Sequence, residues 1–366
     1  MTQPTPNTAQ KMHTSLPELG WSNHFIQQLS LDEWDTSLPA RVIEQHRSEL
    51  IVAIEGDSFS VPVPLGEHIT VGDWLLLSHE HQFIRLLERQ SEFSRKAAGS
   101  KVQAQLIAAN VDTLFIVSSL NNDFNLNRIE RFLVLANEAK AEPVIVLTKA
   151  DLCESPDVVE KYIQQIQSLD TYLMVVALNA LDTQELGKLS PWCKTGKTLA
   201  LLGSSGVGKS TLANLLLGHT EQATSGIRED DSKGRHTTTS RSLHIITQSQ
   251  QLAGGILLDT PGMRELQLAN VEEGIEETFS DIMEIAQNCK FSDCSHDASL
   301  TEASGCAVQA AIQKGELAER RLLSFQKLQR EDELNSASLA QRREKDKQFG
   351  KMVKSVMSAS QKRKNR

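Results

Sequence analysis

An N-terminal OB-type β-barrel, a central α/β domain built on a phosphate-binding loop, and a mostly helical C-terminal segment are what this 366-residue sequence predicts. Three observations predict them. Residues 37–92 break into five short apolar runs; residues 199–218 read LALLGSSGVGKSTLANLLLG; and Cys289, Cys294, His296 and Cys306 crowd into one short stretch.

The first region reads ARVIEQ, ELIVAIEG, SFSVPVP, ITVGDWLLLS and FIRLLER, with turns at Gly56-Asp57 and Gly72-Asp73. Five β segments of this kind suit a small OB-type barrel over residues 37–96. The pattern alone leaves its ligand open. Residues 1–36 begin with neither an apolar core nor a cleavage-like pattern, so they read as a partly disordered leader rather than a signal peptide.

An apolar strand precedes the central loop, and a helix with Leu212, Leu215 and Leu216 at i, i+3, i+4 spacing follows it. Gly203, Ser204, Ser205, Gly206, Val207 and Gly208 form the loop, and Lys209, Ser210 and Thr211 open the helix. The glycines let backbone N–H groups turn inward on a polyphosphate at the positive end of the helix dipole. Lys209 is placed to reach the terminal phosphates and Ser210 to hold Mg²⁺. Downstream, Asp259-Thr260-Pro261-Gly262 ends another apolar strand. Asp259 can bind Mg²⁺ through water, and the Gly262 N–H can sense a γ-phosphate. Within the intervening Gly234-Arg235-His236-Thr237-Thr238-Thr239, Thr238 can complete the Mg²⁺ shell only while the γ-phosphate is present, which makes a switch.

The base is addressed earlier in the chain, where the run EPVIVLT ends on Thr148-Lys149-Ala150-Asp151. Asp151 can accept hydrogen bonds from guanine N1–H and the exocyclic amine, groups that adenine does not offer in that arrangement. Lys149 can lie along base and ribose, and Thr148 brings a hydroxyl to tie the loop down. The nucleotide is therefore GTP, and its base motif precedes the phosphate loop. Each motif needs only its own strand and loop at the carboxyl edge of a doubly wound sheet. The order is that of a circularly permuted α/β P-loop GTPase domain, over residues 104–272. Apolar strand candidates are 113–117, 144–147, 173–177, 198–202, 242–246 and 256–259, and Ile129, Phe132, Leu133 and Ala136 pattern a helix after the first.

Ala109-Asn110-Val111-Asp112, FNLNRIERFL (124–133), TKAD, GSSGVGKST, GRHTTT, DTPG and the cysteine cluster ending GCAV together resemble the circularly permuted ribosome small subunit-dependent GTPase A family. The resemblance implies a factor that binds the small ribosomal subunit and its rRNA with GTP and acts in late subunit maturation. Hydrolysis to GDP and phosphate, stimulated by the subunit, would then release it. His236 is implied as the group orienting the attacking water, because Met263 stands where many GTPases carry a glutamine. The backbone of Ala177 is implied at the guanine carbonyl, with Val176-Ala177-Leu178 in place of the family's Ser-Ala-Lys. Two rivals remain: an RNA-binding assembly protein whose nucleotide is structural, and an ATP-using phosphotransferase to which Asp151 is irrelevant.

Cys289-x4-Cys294-x-His296-x9-Cys306 offers three thiolates and an imidazole, a closed tetrahedral set for one structural Zn²⁺; the alternative is ordinary buried thiols. The segment has too little apolar content to hold itself together, which favours metal. An insertion within DASLTEASG makes the last gap longer than the family's. This zinc-binding helical domain is assigned to residues 273–340, with a helix from Val308 to about Leu334 presenting Arg320, Arg321, Lys327 and Arg330 to rRNA. Whether the zinc segment itself meets RNA or protein stays open. Cys153 and Cys193 read as isolated buried thiols, and an odd total of five argues against a disulfide framework.

The net charge of −9 conceals a basic tail over residues 341–366, in which ten Lys or Arg face two acids. A polyphosphate contact or a solubilising flexible end accounts for it equally well. No run approaches the roughly 18–20 apolar residues of a membrane span, so a cytoplasmic monomer without membrane contact is expected.

Overall fold

The computed structural model describes residues 14–96, 104–121, 123–218, 241–259, 268, 270–297 and 305–336. The chain divides into two compact units, Met1–Ser94 with Leu106–Glu265 and Arg95–Gln105 with Leu266–Arg366.

In the first unit the chain lays down β1 (Ser37–Gln45), β2 (Glu49–Ile54), β3 (Asp57–Pro62), β4 (Trp74–Ser78) and β5 (Phe83–Leu86). The first half of β1 pairs antiparallel with β4 and its second half with β2, as at the corner of an OB-type arrangement. β6 (Glu92–Lys96) and β7 (Ala104–Ala109) form a two-stranded ladder, of which Arg95–Lys96 and Ala104–Gln105 count with the second unit. The α/β part comprises β8 (Thr113–Ser119), β9 (Glu142–Thr148), β10 (Met174–Ala177), β11 (Thr198–Gly203), β12 (Arg241–Ile246) and β13 (Gly255–Asp259). All six strands expected from apolar runs are present; five are longer than expected by one to three residues, and β10 begins one residue later than expected, at Met174.

The sheet order is β10-β9-β8-β11-β13-β12-β1-β2-β3. Every pair from β10 to β13 is parallel, while β12 runs antiparallel to both β13 and β1. The five parallel strands thus end on one edge, and chain order reverses between β8 and β11, where a doubly wound sheet takes its ligand. The half carrying Thr148 comes first in the chain and the half carrying the phosphate loop second, which is the permutation. β8 is buried along its whole length, as a strand covered on both faces must be. Phe115, Val117, Val146, Leu199, Leu212 and Leu257 lie in one core with Trp192 edge-on to Phe115.

The barrel strands and the α/β strands meet around Arg41, which is only 1% exposed. Its guanidinium donates to the carbonyls of Leu19 (2.5 Å) and Asn110 (3.3 Å) and to Thr198 Oγ1 (2.8 Å), and lies over the Trp74 ring. Burial pulls its pKa down to about 10, with Asp112 and Asp73 opposing, so it stays charged at neutral pH. The described part of the leader holds α1 (Asn23–Ile26) and α2 (Leu31–Thr36), and Trp21 and Phe25 pack on Trp74. Ser30 and Glu33 close a reciprocal cap on α2. Residues 1–13 lie outside the described residues.

Helices α3 (Leu126–Glu138), α4 (Pro156–Gln167) and α5 (Lys209–Leu216) complete the first unit. The second holds α6 (Glu272–Thr278), α7 (Ser280–Ala286), α8 (Ala307–Lys314) and α9 (Glu319–Ser336). The single helix expected from Val308 is broken at Gly315, whose φ of +75° caps α8 in the left-handed region that glycine favours. Arg321, expected to face outward, is instead buried: it pairs with Asp281 Oδ2 at 2.6 Å and covers the Phe279 ring. Lys327 and Arg330 are exposed. Among the described residues no helix is long and apolar enough to cross a membrane.

Candidate functional site

Strand β11 delivers the phosphate loop to the sheet edge between β8 and β13. Gly203 ends the strand in register with Val117, so close that a Cβ would lie 2.3 Å from the Val117 carbonyl oxygen. Gly208 opens α5 at a φ of +97°, strained for any L side chain. Ser204 and Ser210 are half-buried, Ser205 and Gly206 are exposed at the crest, and Thr211 follows half-buried in the first turn of α5. Lys209 is buried, and its Nζ donates to the Ser204 carbonyl.

The tetrapeptide after β9 reaches this loop directly. Thr148 is fully buried, and its hydroxyl donates to the Val207 carbonyl at 2.5 Å, with the Ser118 carbonyl farther off at 3.4 Å. Lys149 takes a left-handed backbone (φ +60°) and sets its Nζ 3.0 Å from the Gly206 carbonyl. Asp151 stands exposed in a short 3-10 helix, Ala150–Leu152. Ala177 is the last residue of β10; its carbonyl accepts from Lys188 Nζ (3.0 Å), which is itself held by Glu185 Oε2 (2.6 Å). The N–H of Leu178 is engaged by the Leu147 carbonyl at 2.9 Å. Asp259 ends β13, half-buried. One edge therefore gathers residues 148–151, 177, 203–211 and 259. His236, Thr238 and Gly262 lie outside the described residues.

Sequence reasoning missed three parts of this edge. Arg128, from α3, donates to Ser204 Oγ at 2.7 Å. Lys188 supports Ala177, and Ser118 backs Thr148. Each joins elements that only the folded sheet makes neighbours, so no local pattern marks it.

In the second unit Cys289, Cys294, His296 and Cys306 place their ligand atoms within 4.8 Å of one another. His296 Nδ1 is 3.7 Å from Cys289 Sγ and 3.6 Å from Cys306 Sγ. A tetrahedral zinc bonded to sulfur and nitrogen separates the two by about 3.5 Å, so the residues fit the metal. Gln309 Nε2 holds the His296 carbonyl at 2.8 Å, and the Gln309 N–H points at Cys306 Sγ. Burial pushes the Cys306 thiol up to about 11 despite the Gln309 N–H, the neighbouring thiols adding to the rise. For Cys289 burial acts the same way but the N–H groups of Val308 and Ala307 outweigh it, leaving the thiol below its ordinary value. Burial lowers His296, favouring the neutral imidazole a metal requires. Gly305, at φ +84°, turns the chain back so that its carbonyl meets the Lys290 N–H at 2.8 Å. Cys193 is buried and its thiol raised to about 12, whereas Cys153 is half-buried.

The family model of the RsgA GTPase matches residues 86–269. A model of the ABC transporter matches residues 186–364, a stretch that includes the phosphate loop but leaves out β8–β10 and the Thr148–Asp151 turn. The chain is similar to "Small ribosomal subunit biogenesis GTPase RsgA 2" of Vibrio parahaemolyticus, with 54% identity over 95% of this chain and 94% of that one. It is 45% identical to "Small ribosomal subunit biogenesis GTPase RsgA" of Mesorhizobium japonicum, over 88% of this chain and 91% of the other. Among solved structures it shares its fold with YloQ, described as a circularly permuted GTPase, at a TM-score of 0.58 and 24% identity over 82% of this chain and 96% of that one. With YjeQ from Thermotoga maritima the TM-score is 0.56 at 24% identity, over 80% and 97% of the two chains. A match that begins ahead of β8 and runs past β13, and relatives alike along nearly all of its length, place this chain in the RsgA GTPase family.

Proposed function

We propose that this protein hydrolyses GTP while bound to the small ribosomal subunit, acts in late maturation of that subunit, and leaves it once the subunit has stimulated hydrolysis. The observation that carries this reading is the pair of contacts from Thr148 and Lys149 to Val207 and Gly206, which join a guanine-type motif to a phosphate loop. Around one nucleotide, Asp151 and Lys149 read the base, with the backbone at Ala177 beside it. Residues 203–211 wrap the phosphates, led by the Lys209 ammonium. Ser210, Thr238 and Asp259 would hold Mg²⁺ and the Gly262 N–H would meet the γ-phosphate; the ion would supply charge neutralisation on the phosphate oxygens. His236 orients the attacking water, and the small subunit stimulates that step.

The cysteine cluster would hold one structural Zn²⁺, because four protein ligands leave no position for water. The domains would run 37–96, 104–272 and 273–340, with the leader before them and the basic tail 341–366 reaching rRNA. The protein works as a monomer in the cytoplasm, where its partner is. GTP turnover titrated with isolated small and large subunits tests the whole: stimulation by small subunits alone is expected. Unchanged turnover with both would favour an RNA-binding assembly protein whose nucleotide is structural.

A further inference from the structure

The run FNLNRIERFL is used by none of the chemistry above, yet it sends one side chain to the phosphate loop. Arg128, in the first turn of α3, has its N–H capped by Asn125 Oδ1 and its Nη1 shared between Asp123 Oδ1 and Ser204 Oγ, both at 2.7 Å. Asp123 Oδ2 is buried without a hydrogen-bond partner, so the pair with Arg128 is the anchor the structure gives that carboxylate. Ser204 is the first residue beyond β11, and its carbonyl is where Lys209 Nζ rests. One residue is thus gripped twice, by a guanidinium on its hydroxyl and by the phosphate-binding ammonium on its carbonyl.

The geometry points to Arg128 as a positioning residue for hydrolysis: it fixes Ser204 and, through the Ser204 carbonyl, the Lys209 ammonium that meets the terminal phosphates. This rests on the nucleotide reading of the same loop. A guanidinium suits the task because it never loses its charge and its donors are fixed in a plane, one N–H for each acceptor. Charge-assisted hydrogen bonds are about twice as strong as neutral ones. A small displacement of a phosphate-positioning group is felt steeply in turnover.

The test uses the full chain with Mg²⁺, fluorescent GDP for affinity and GTP turnover for rate. Arg128→Ala is expected to weaken GDP and lower kcat, each by about tenfold. Ser204→Ala should do the same, and the double variant should be no worse than the weaker single, because both remove one contact. Arg128→Lys should recover part of the loss. Wild type that binds GDP, with Arg128→Ala within twofold of it in both affinity and kcat, overturns this inference alone, whatever happens to the melting temperature. Losses that multiply in the double variant overturn it too. Should Arg128→Ala not fold, Ser204→Ala decides, since it removes only a hydroxyl. Wild type that binds no GDP overturns the nucleotide reading and this one with it.

Discussion

The phosphate-loop edge of the first unit and the cysteine cluster of the second each bring together four or more chemistry-bearing residues, and different forces hold them. At the sheet edge Thr148, Gly203 and Asp259 end the strands β9, β11 and β13, whose interiors are largely buried. Leu114–Val117 of β8 and Val144–Leu147 of β9 are at most 1% exposed, and each large side chain buried this way contributes about 1.5–3 kcal/mol. Position follows from register, with or without a ligand. At the cluster the ligands sit in turns, Cys306 alone among them is buried, and Phe291 between two of them is 55% exposed. Register does not reach there. The first site is built by its fold, whereas the second lacks a buried strand to set its register.

The sharpest attempt to break this contrast is Cys306→Ala. Bound zinc should fall from one per chain to below about a tenth, with metal-coupled folding energy on the order of 10 kcal/mol at stake. Amide exchange should rise across residues 289–297 and leave β8–β11 protected; protection that survives in the cluster would sink the contrast. Next, Asp151→Ala should cut the preference for GTP over ATP about 100-fold in competition binding, without shifting urea unfolding. A preference left intact would mean the base is read elsewhere.

Thr148→Val keeps shape but strands the Val207 carbonyl, and should destabilise the first unit by about 1–3 kcal/mol in urea titration. No change would show that the loop does not lean on β9. Smallest, Gln309→Ala should weaken zinc about tenfold by chelator competition while the cluster still forms at saturating metal. A loss as large as that of a cysteine would make Gln309 part of the fold itself.

Most of the strand set was legible, because buried parallel strands are written as continuous apolar runs. So were the loops, whose residues are contiguous. What could not be read is whatever joins distant segments. Arg41 looked like one charge in a barrel strand and proves to be buried between Leu19 and Thr198. Arg321 was expected outside because α9 is polar on most sides, but Asp281 and Phe279 draw it in. The break at Gly315 was missed because Ala307–Lys314 and Glu319–Ser336 each keep a helical pattern across it. Arg128 stood in a run read only as a helix and as part of the family resemblance; nothing local marked Ser204 as its partner.

Arg41 also bears on how such a chain can be re-engineered. Its guanidinium is shared by the leader, the first barrel strand, the turn at Asn110 and the strand that bears the nucleotide loop. A graft that exchanges the barrel, residues 37–96, would therefore import a stranger without the plug, and expose Thr198 and two carbonyls that had a cation between them. Module shuffling here has to move the arginine along with its strand, or redesign the socket it leaves.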